Sequence, residues 1–110
     1  MNRGAAFLLL ALCASLEAGG DALVRKGMHA GAFLSRLGLY LCAAAVLFAY
    51  GWLVNRPPWS FGSLLGIYVV LFFVVSQILA YAVFGEKLTT PLLMGGALIV
   101  AGGIVITVWR

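Results

Sequence analysis

Acidic side chains are nearly missing from this sequence, whose 110 residues hold three Asp or Glu against seven Lys or Arg and one His. Charged residues make up 9%, where a soluble domain carries about 25%. Hydrophobic residues reach 65%. An ordinary water-soluble globule is excluded, because there is too little polar side chain to cover one. Histidine and cysteine are equally scarce. His29 stands in a turn with no Cys or acid at metal-ligand spacing, and Cys13 and Cys42 lie in apolar runs, so no metal site is expected and both thiols read as small hydrophobes. No strand pattern is present, and no phosphate-binding glycine motif follows one. The sequence therefore offers no catalytic group, no enzyme activity and no cofactor. The basic residues are scattered rather than gathered on one face, which argues against nucleic acid and for anionic headgroups.

Long apolar runs fill the chain instead. A helix needs about 20 residues to cross about 30 Å of hydrocarbon. Residues 37–55, 57–85 and 88–109 contain no Asp, Glu, Lys, Arg or His, and a fourth run starts at Gly4 and stays apolar to Leu16. These runs predict an all-α membrane protein of four transmembrane helices, roughly 4–26, 33–55, 61–84 and 91–109, in one domain spanning 1–110.

The connectors agree with that division. Gly27 to Arg36 is a short polar turn, and Asn55-Arg56-Pro57-Pro58-Trp59-Ser60 is a proline-stopped loop with an interfacial Trp. Gly85 to Pro91 closes the third helix and opens the fourth, with a threonine to cap and Pro91 in the first turn. Connections this short predict an up-down-up-down bundle. Met1-Asn2-Arg3 and the apolar run after it begin like a signal peptide, but Glu17 interrupts early and no small-x-small cleavage site precedes it, so retention of the segment is expected. On four spans Arg3, Arg56 and Arg110 face one side and Arg25, Lys26, Arg36 and Lys87 the other. Three against four is too even to set one orientation, which leaves room for insertion both ways and an antiparallel dimer.

Glu17 is the most informative residue. It lies three positions past Ala14, the middle of the first span, or about 4–5 Å along the axis. A charge there costs about 2.5–3.5 kcal/mol on insertion scales, so intramembrane acids face cavities or other helices and mark functional sites. Glu17, Asp21 and Arg25 follow at i, i+4 and i+8 on one stripe, and an Asp21–Arg25 ion pair near the interface is expected. Gly19 and Gly20 permit close approach beside the acid. Ser76, Gln77, Tyr68 and Tyr81 in the third span, with Tyr40, Tyr50 and Trp52 in the second, are candidates to line a cavity or anchor helices. The fourth span has Gly95, Gly96, Ala97, Ala101, Gly102 and Gly103 and only Thr107 as a polar side chain in its interior, which suits helix assembly.

Taken together, the stretch Leu16-Glu17-Ala18-Gly19-Gly20-Asp21 running on to Arg25-Lys26, the segment Phe84-Gly85-Glu86-Lys87-Leu88, and Gly96-Ala97-Leu98-Ile99-Val100-Ala101-Gly102-Gly103-Ile104 resemble the drug/metabolite transporter superfamily. The likeness covers nearly the whole chain and is strongest to the small multidrug resistance proteins, short four-helix bundles acting as antiparallel dimers. That resemblance implies a proton-coupled exporter of cationic or amphiphilic small molecules in the cell inner membrane. Glu17 would match the family's essential acid; Asp21, which is not usual in the drug exporters, and Tyr68 and Gln77 of the third span are the further candidates for proton and substrate binding, taken from their positions in this sequence. Gly96, Ala97, Ala101, Gly102 and Gly103 would form the dimer contact, made with a second copy or a paired small homologue. The family's third-helix Trp-x-Gly-x-Gly pattern falls on Tyr68, Val70 and Phe72, so the aromatic is kept as Tyr and both glycines are replaced. Two alternatives accompany this reading: a flippase for a lipid or lipid-linked headgroup, and a non-transporting accessory subunit.

Overall fold

The computed structural model describes residues 2–109; Arg110, assigned above to one membrane face, lies outside them. The chain forms four helices, α1 (Arg3–Met28), α2 (Phe33–Val54), α3 (Phe61–Phe84) and α4 (Thr90–Val108), and no strand among the described residues. All four are long and apolar enough to cross a membrane. The shortest, α4, has 19 residues, or about 28 Å, close to the thickness of a hydrocarbon core. Helices are what such runs must form, because lipid offers no partner to an unpaired backbone N–H or C=O.

Local chemistry sets the ends. The Asn2 side chain accepts a hydrogen bond from the Ala5 N–H at 2.6 Å to start α1, and Thr89 Oγ1 accepts from the Leu92 N–H at 3.3 Å to start α4, with Pro91 in its first turn. At the end of α3 the chain turns through Gly85 at φ 66°, a left-handed conformation that a Cβ disfavours. The Gly85 N–H donates to Tyr81 C=O and the Glu86 N–H to Ala80 C=O, closing the helix. Pro57 and Pro58 follow the end of α2, where Asn55 donates back to Gly51 C=O and the Arg56 guanidinium lies over the Trp52 ring at 4.6 Å.

Ring contacts fix the helix directions. Phe7 meets Trp59 edge-on at the α1 start, and Arg25 lies over Phe84 at the α1 end, so α1 and α3 run parallel with α2 antiparallel between them in sequence. Arg3 and Arg56 therefore sit at one end of the molecule, and Arg25, Lys26, Arg36 and Lys87 at the other.

The bundle is open. Close backbone approach occurs between α1 and α2, α1 and α3, and α3 and α4, giving the order α2–α1–α3–α4. The buried core joins Leu10, Cys13 and Ala14 of α1, Val54 of α2, and Leu64, Ile67 and Tyr68 of α3. It occupies the half of the molecule nearer the Asn55–Ser60 loop. Outward-facing Leu8, Phe48, Ile78 and Leu98 are all more than 60% exposed, as lipid-facing side chains are when the solvent is as apolar as they are.

Glycines set the α3–α4 contact. A Cβ on Gly96 would lie 2.6 Å from Phe73 Cε1, and one on Gly103 would run into Val70. Both glycines are buried inside the protomer, where α3 carries bulky side chains and α4 carries none. Ala97, Ala101 and Gly102 stay exposed on α4's other faces, and nothing approaches Gly102 within 4 Å.

Candidate functional site

The packed half of the α1–α3 contact ends at Glu17. Tyr68, 4% exposed, donates its hydroxyl to Glu17 Oε1 at 2.7 Å. Glu17 is half-buried. Tyr50 of α2 stacks on Tyr68 with ring centroids 5.6 Å apart and 29° between planes, and Phe72, one turn along α3, lies 6.1 Å from Tyr68 in a tilted contact. Three helices therefore hold one phenol against one carboxylate. Ring contacts with Tyr50 and Phe72 restrict Tyr68, whose O–H is held on the acid. A carboxylate partly withdrawn from water accepts a charge-assisted hydrogen bond here, which offsets part of its desolvation cost.

Beyond this pair the two parallel helices part. A cleft of about 270 Å³ opens between the C-terminal halves of α1 and α3, with Asp21 and Arg25 on one wall, Phe72, Ser76 and Gln77 on the other, and Phe84 and Glu86 at its end. Phe72 belongs to both places, lying near Tyr68 and lining the cleft. Asp21 stands one turn, about 6 Å, beyond Glu17 along α1. The Ser76 hydroxyl donates to Phe73 C=O at 2.8 Å, so it is engaged with its own helix, while the Gln77 amide makes no hydrogen bond among the described residues.

The expected Asp21–Arg25 ion pair is absent among the described residues. Arg25 instead sends its guanidinium across to α3, 5.5 Å from the Phe84 ring centroid, and both charges line the cleft without meeting. The i, i+4 spacing brings the two side chains to one stripe, but a surface pair between long side chains is a weak attraction that an aromatic face outweighs.

Of the residues read as possible cavity lining, Tyr68 and Tyr50 build the acid's seat and Ser76 and Gln77 line the cleft. The others lie elsewhere. Tyr40 packs over Gly27, Trp52 holds Arg56, and Tyr81 is 69% exposed. Phe72, Phe84 and Glu86 were not foreseen in the site. The spacing of Tyr68 and Phe72 at i, i+4 was the available signal for the first, and the left-handed Gly85 that turns Glu86 back was the signal for the last. No group of three or more His, Cys, Asp or Glu suited to a metal occurs among the described residues.

A second concavity of about 490 Å³ lies between α3 and α4, lined by apolar groups that include Phe73, Leu92, Ala97, Ala101 and Ile104. Comparison with family models, curated proteins and solved structures finds no match for this chain.

Proposed function

We propose that this chain is a small proton-coupled membrane carrier that exports cationic or amphiphilic small molecules in exchange for protons. The observation that carries the reading is the Glu17–Tyr68 hydrogen bond within the span, one helical turn from Asp21 on the wall of the cleft. A carboxylate kept at that depth is costly unless its charge is used. One carboxylate accepts either a proton or a cation's positive charge, and occupation by one displaces the other, which yields exchange. Tyr68 positions the acid for both events. Glu17, Asp21 and Gln77 line the route in this reading, with Tyr68 as the acid's hydrogen-bond donor.

The resemblance to the small multidrug resistance proteins supports an antiparallel pair of copies, and the open helix row supports a partner across its unfilled side. Ala97, Ala101 and Gly102 are the small residues of α4 left for that contact. Helical spans, rather than a barrel, suit the cell inner membrane. The test is proton exchange in proteoliposomes under a pH gradient, driven by a panel of organic cations. Glu17→Gln is expected to abolish cation-driven proton flux, and unchanged flux would overturn the reading.

A second reading, a flippase for a lipid or lipid-linked headgroup, is favoured by the apolar groove between α3 and α4, which offers an acyl chain a path beside the polar cleft. Movement of a labelled lipid between leaflets that survives Glu17→Gln and collapse of the pH gradient would favour it over exchange.

A further inference from the structure

The charges of the α1–α3 cleft fall into two poles. Asp21 and Glu86 bring two carboxylates to it, and Glu86 directly follows the left-handed turn that closes α3. The C-terminal end of a helix carries partial negative charge from its unpaired carbonyls, and the last turn of α3 has no basic residue to answer it. Glu86, Asp21 and the helix end therefore all favour a cation in this cleft. Arg25 makes the opposite pole. Its guanidinium rests over Phe84, and a guanidinium lying on a ring keeps the N–H donors at its edge for an anion. Neither carboxylate pairs with Arg25 among the described residues, so both signs are available to a ligand.

Size narrows the class further. About 270 Å³ falls just under the roughly 300–1,000 Å³ of sites for drug-sized molecules, so the cleft takes a compact polar group and leaves an apolar remainder outside it.

We infer that this cleft selects a compact zwitterion, an amine cation joined to a phosphate-like anion, with Asp21 and Glu86 receiving the amine and Arg25 receiving the anion. The assignment deepens the carrier reading and rests on it for the subsequent passage through the membrane, while binding itself needs no pH gradient. Gln77, with its amide free, adds a donor and an acceptor on the α3 wall.

The test is calorimetric titration of the full chain in non-ionic detergent with phosphoethanolamine, with ethanolamine as the amine alone and glycerol phosphate as the anion alone. The zwitterion is expected to bind at least about tenfold more tightly than either half, the size of one added charge-assisted hydrogen bond. Arg25→Gln is expected to reduce zwitterion affinity to that of ethanolamine, Arg25→Lys to restore most of it, and Glu86→Gln to weaken zwitterion and ethanolamine alike. Lysophosphatidylethanolamine distinguishes the source: equal affinity for it and for phosphoethanolamine assigns a free zwitterion, and preference for the lipid assigns a lipid headgroup. Equal binding of ethanolamine and phosphoethanolamine, no binding of any zwitterion, or indifference to Arg25→Gln in a protein whose helical circular dichroism is unchanged would overturn the inference. Binding is read in detergent and exchange in proteoliposomes, so zwitterion binding without cation-driven proton flux overturns the carrier reading alone, and flux without zwitterion binding overturns this inference alone.

Discussion

Tyr68 donates to Glu17 across 51 residues of sequence at 2.7 Å, and its ring meets those of Tyr50 and Phe72. The phenol is the only side chain hydrogen-bonded to the acid among the described residues. Tyr68→Phe keeps the stacked ring and removes the donor alone. Stability is expected to fall by about 1–3 kcal/mol, the usual cost of leaving a partly buried polar group without its partner. Exchange is expected to fall about tenfold, because the carboxylate loses its fixed position, whereas Tyr50→Phe, which leaves the hydroxyl of Tyr68 in place, is expected to change exchange far less. Proton flux in proteoliposomes, alongside thermal unfolding in detergent, separates the two variants. Equal flux in wild type and Tyr68→Phe would show that the hydrogen bond does not position the acid for transport.

Adjacent glycines of α4 are expected to respond in opposite ways. Gly103 is buried against Val70, while nothing lies within 4 Å of a Cβ on Gly102. Gly103→Leu is therefore expected to push α4 off α3 and destabilise the protomer by about 1–3 kcal/mol or more, with partial rescue by Val70→Ala in the double variant. Gly102→Leu is expected to leave the protomer's stability within about 0.5 kcal/mol and to weaken self-association if α4 meets a second copy. Cross-linking yield reports the second effect and thermal unfolding the first. A Gly102→Leu protein with lowered stability and unchanged cross-linking would place the close contact on the wrong face.

The four spans were legible because lipid imposes one requirement, an unbroken apolar run of about twenty residues, and charge-free stretches satisfy it visibly. Thr89, Pro91 and Gly85 were legible as ends for the same local reason: caps and breakers act within a few residues. Glu17 stood out because an acid in an apolar run is rare. What stayed hidden was which face each small residue presents. Gly96, Ala97, Ala101, Gly102 and Gly103 read as one stripe, yet Gly96 and Gly103 sit seven residues apart on a single face and the others point elsewhere. The missing information was on α3, where Val70 and Phe73 supply the bulk that those two glycines admit. Val70 fills the α4 notch, and Phe72 lies near Tyr68. Spacing within one helix could not reveal either.

The stripe of Asp21 and Arg25 carries a sharper expectation than its spacing implied. Arg25 lies over Phe84 rather than against Asp21, and both acid and base are exposed. A double-mutant cycle on Asp21→Asn and Arg25→Gln is expected to give a coupling near zero, within about 0.3 kcal/mol, whereas Arg25→Gln with Phe84→Leu is expected to couple by about 0.5–1 kcal/mol, as exposed cation–aromatic contacts do. Thermal unfolding of the single and double variants measures both. A larger coupling to Asp21 than to Phe84 would restore the ion pair and remove one pole of the cleft.

Gly85 links backbone conformation to site chemistry. At φ 66° it lets the Glu86 N–H reach back to Ala80 C=O at 3.0 Å, and this turn is what delivers the Glu86 side chain to the end of the cleft. Nothing lies within 4 Å of a Cβ at Gly85, so Gly85→Ala introduces no collision and isolates the conformational effect. The left-handed conformation costs an L-residue about 1–2 kcal/mol. Gly85→Ala is accordingly expected to destabilise the protein by about 1 kcal/mol and to weaken amine binding in the cleft severalfold, because the strain is relieved by unwinding the turn that holds Glu86. Gly85→Asn, which tolerates that conformation better, is expected to lose less of both. Should Gly85→Ala lose stability while ethanolamine affinity stays at the wild-type value, Glu86 would be placed by something other than this turn.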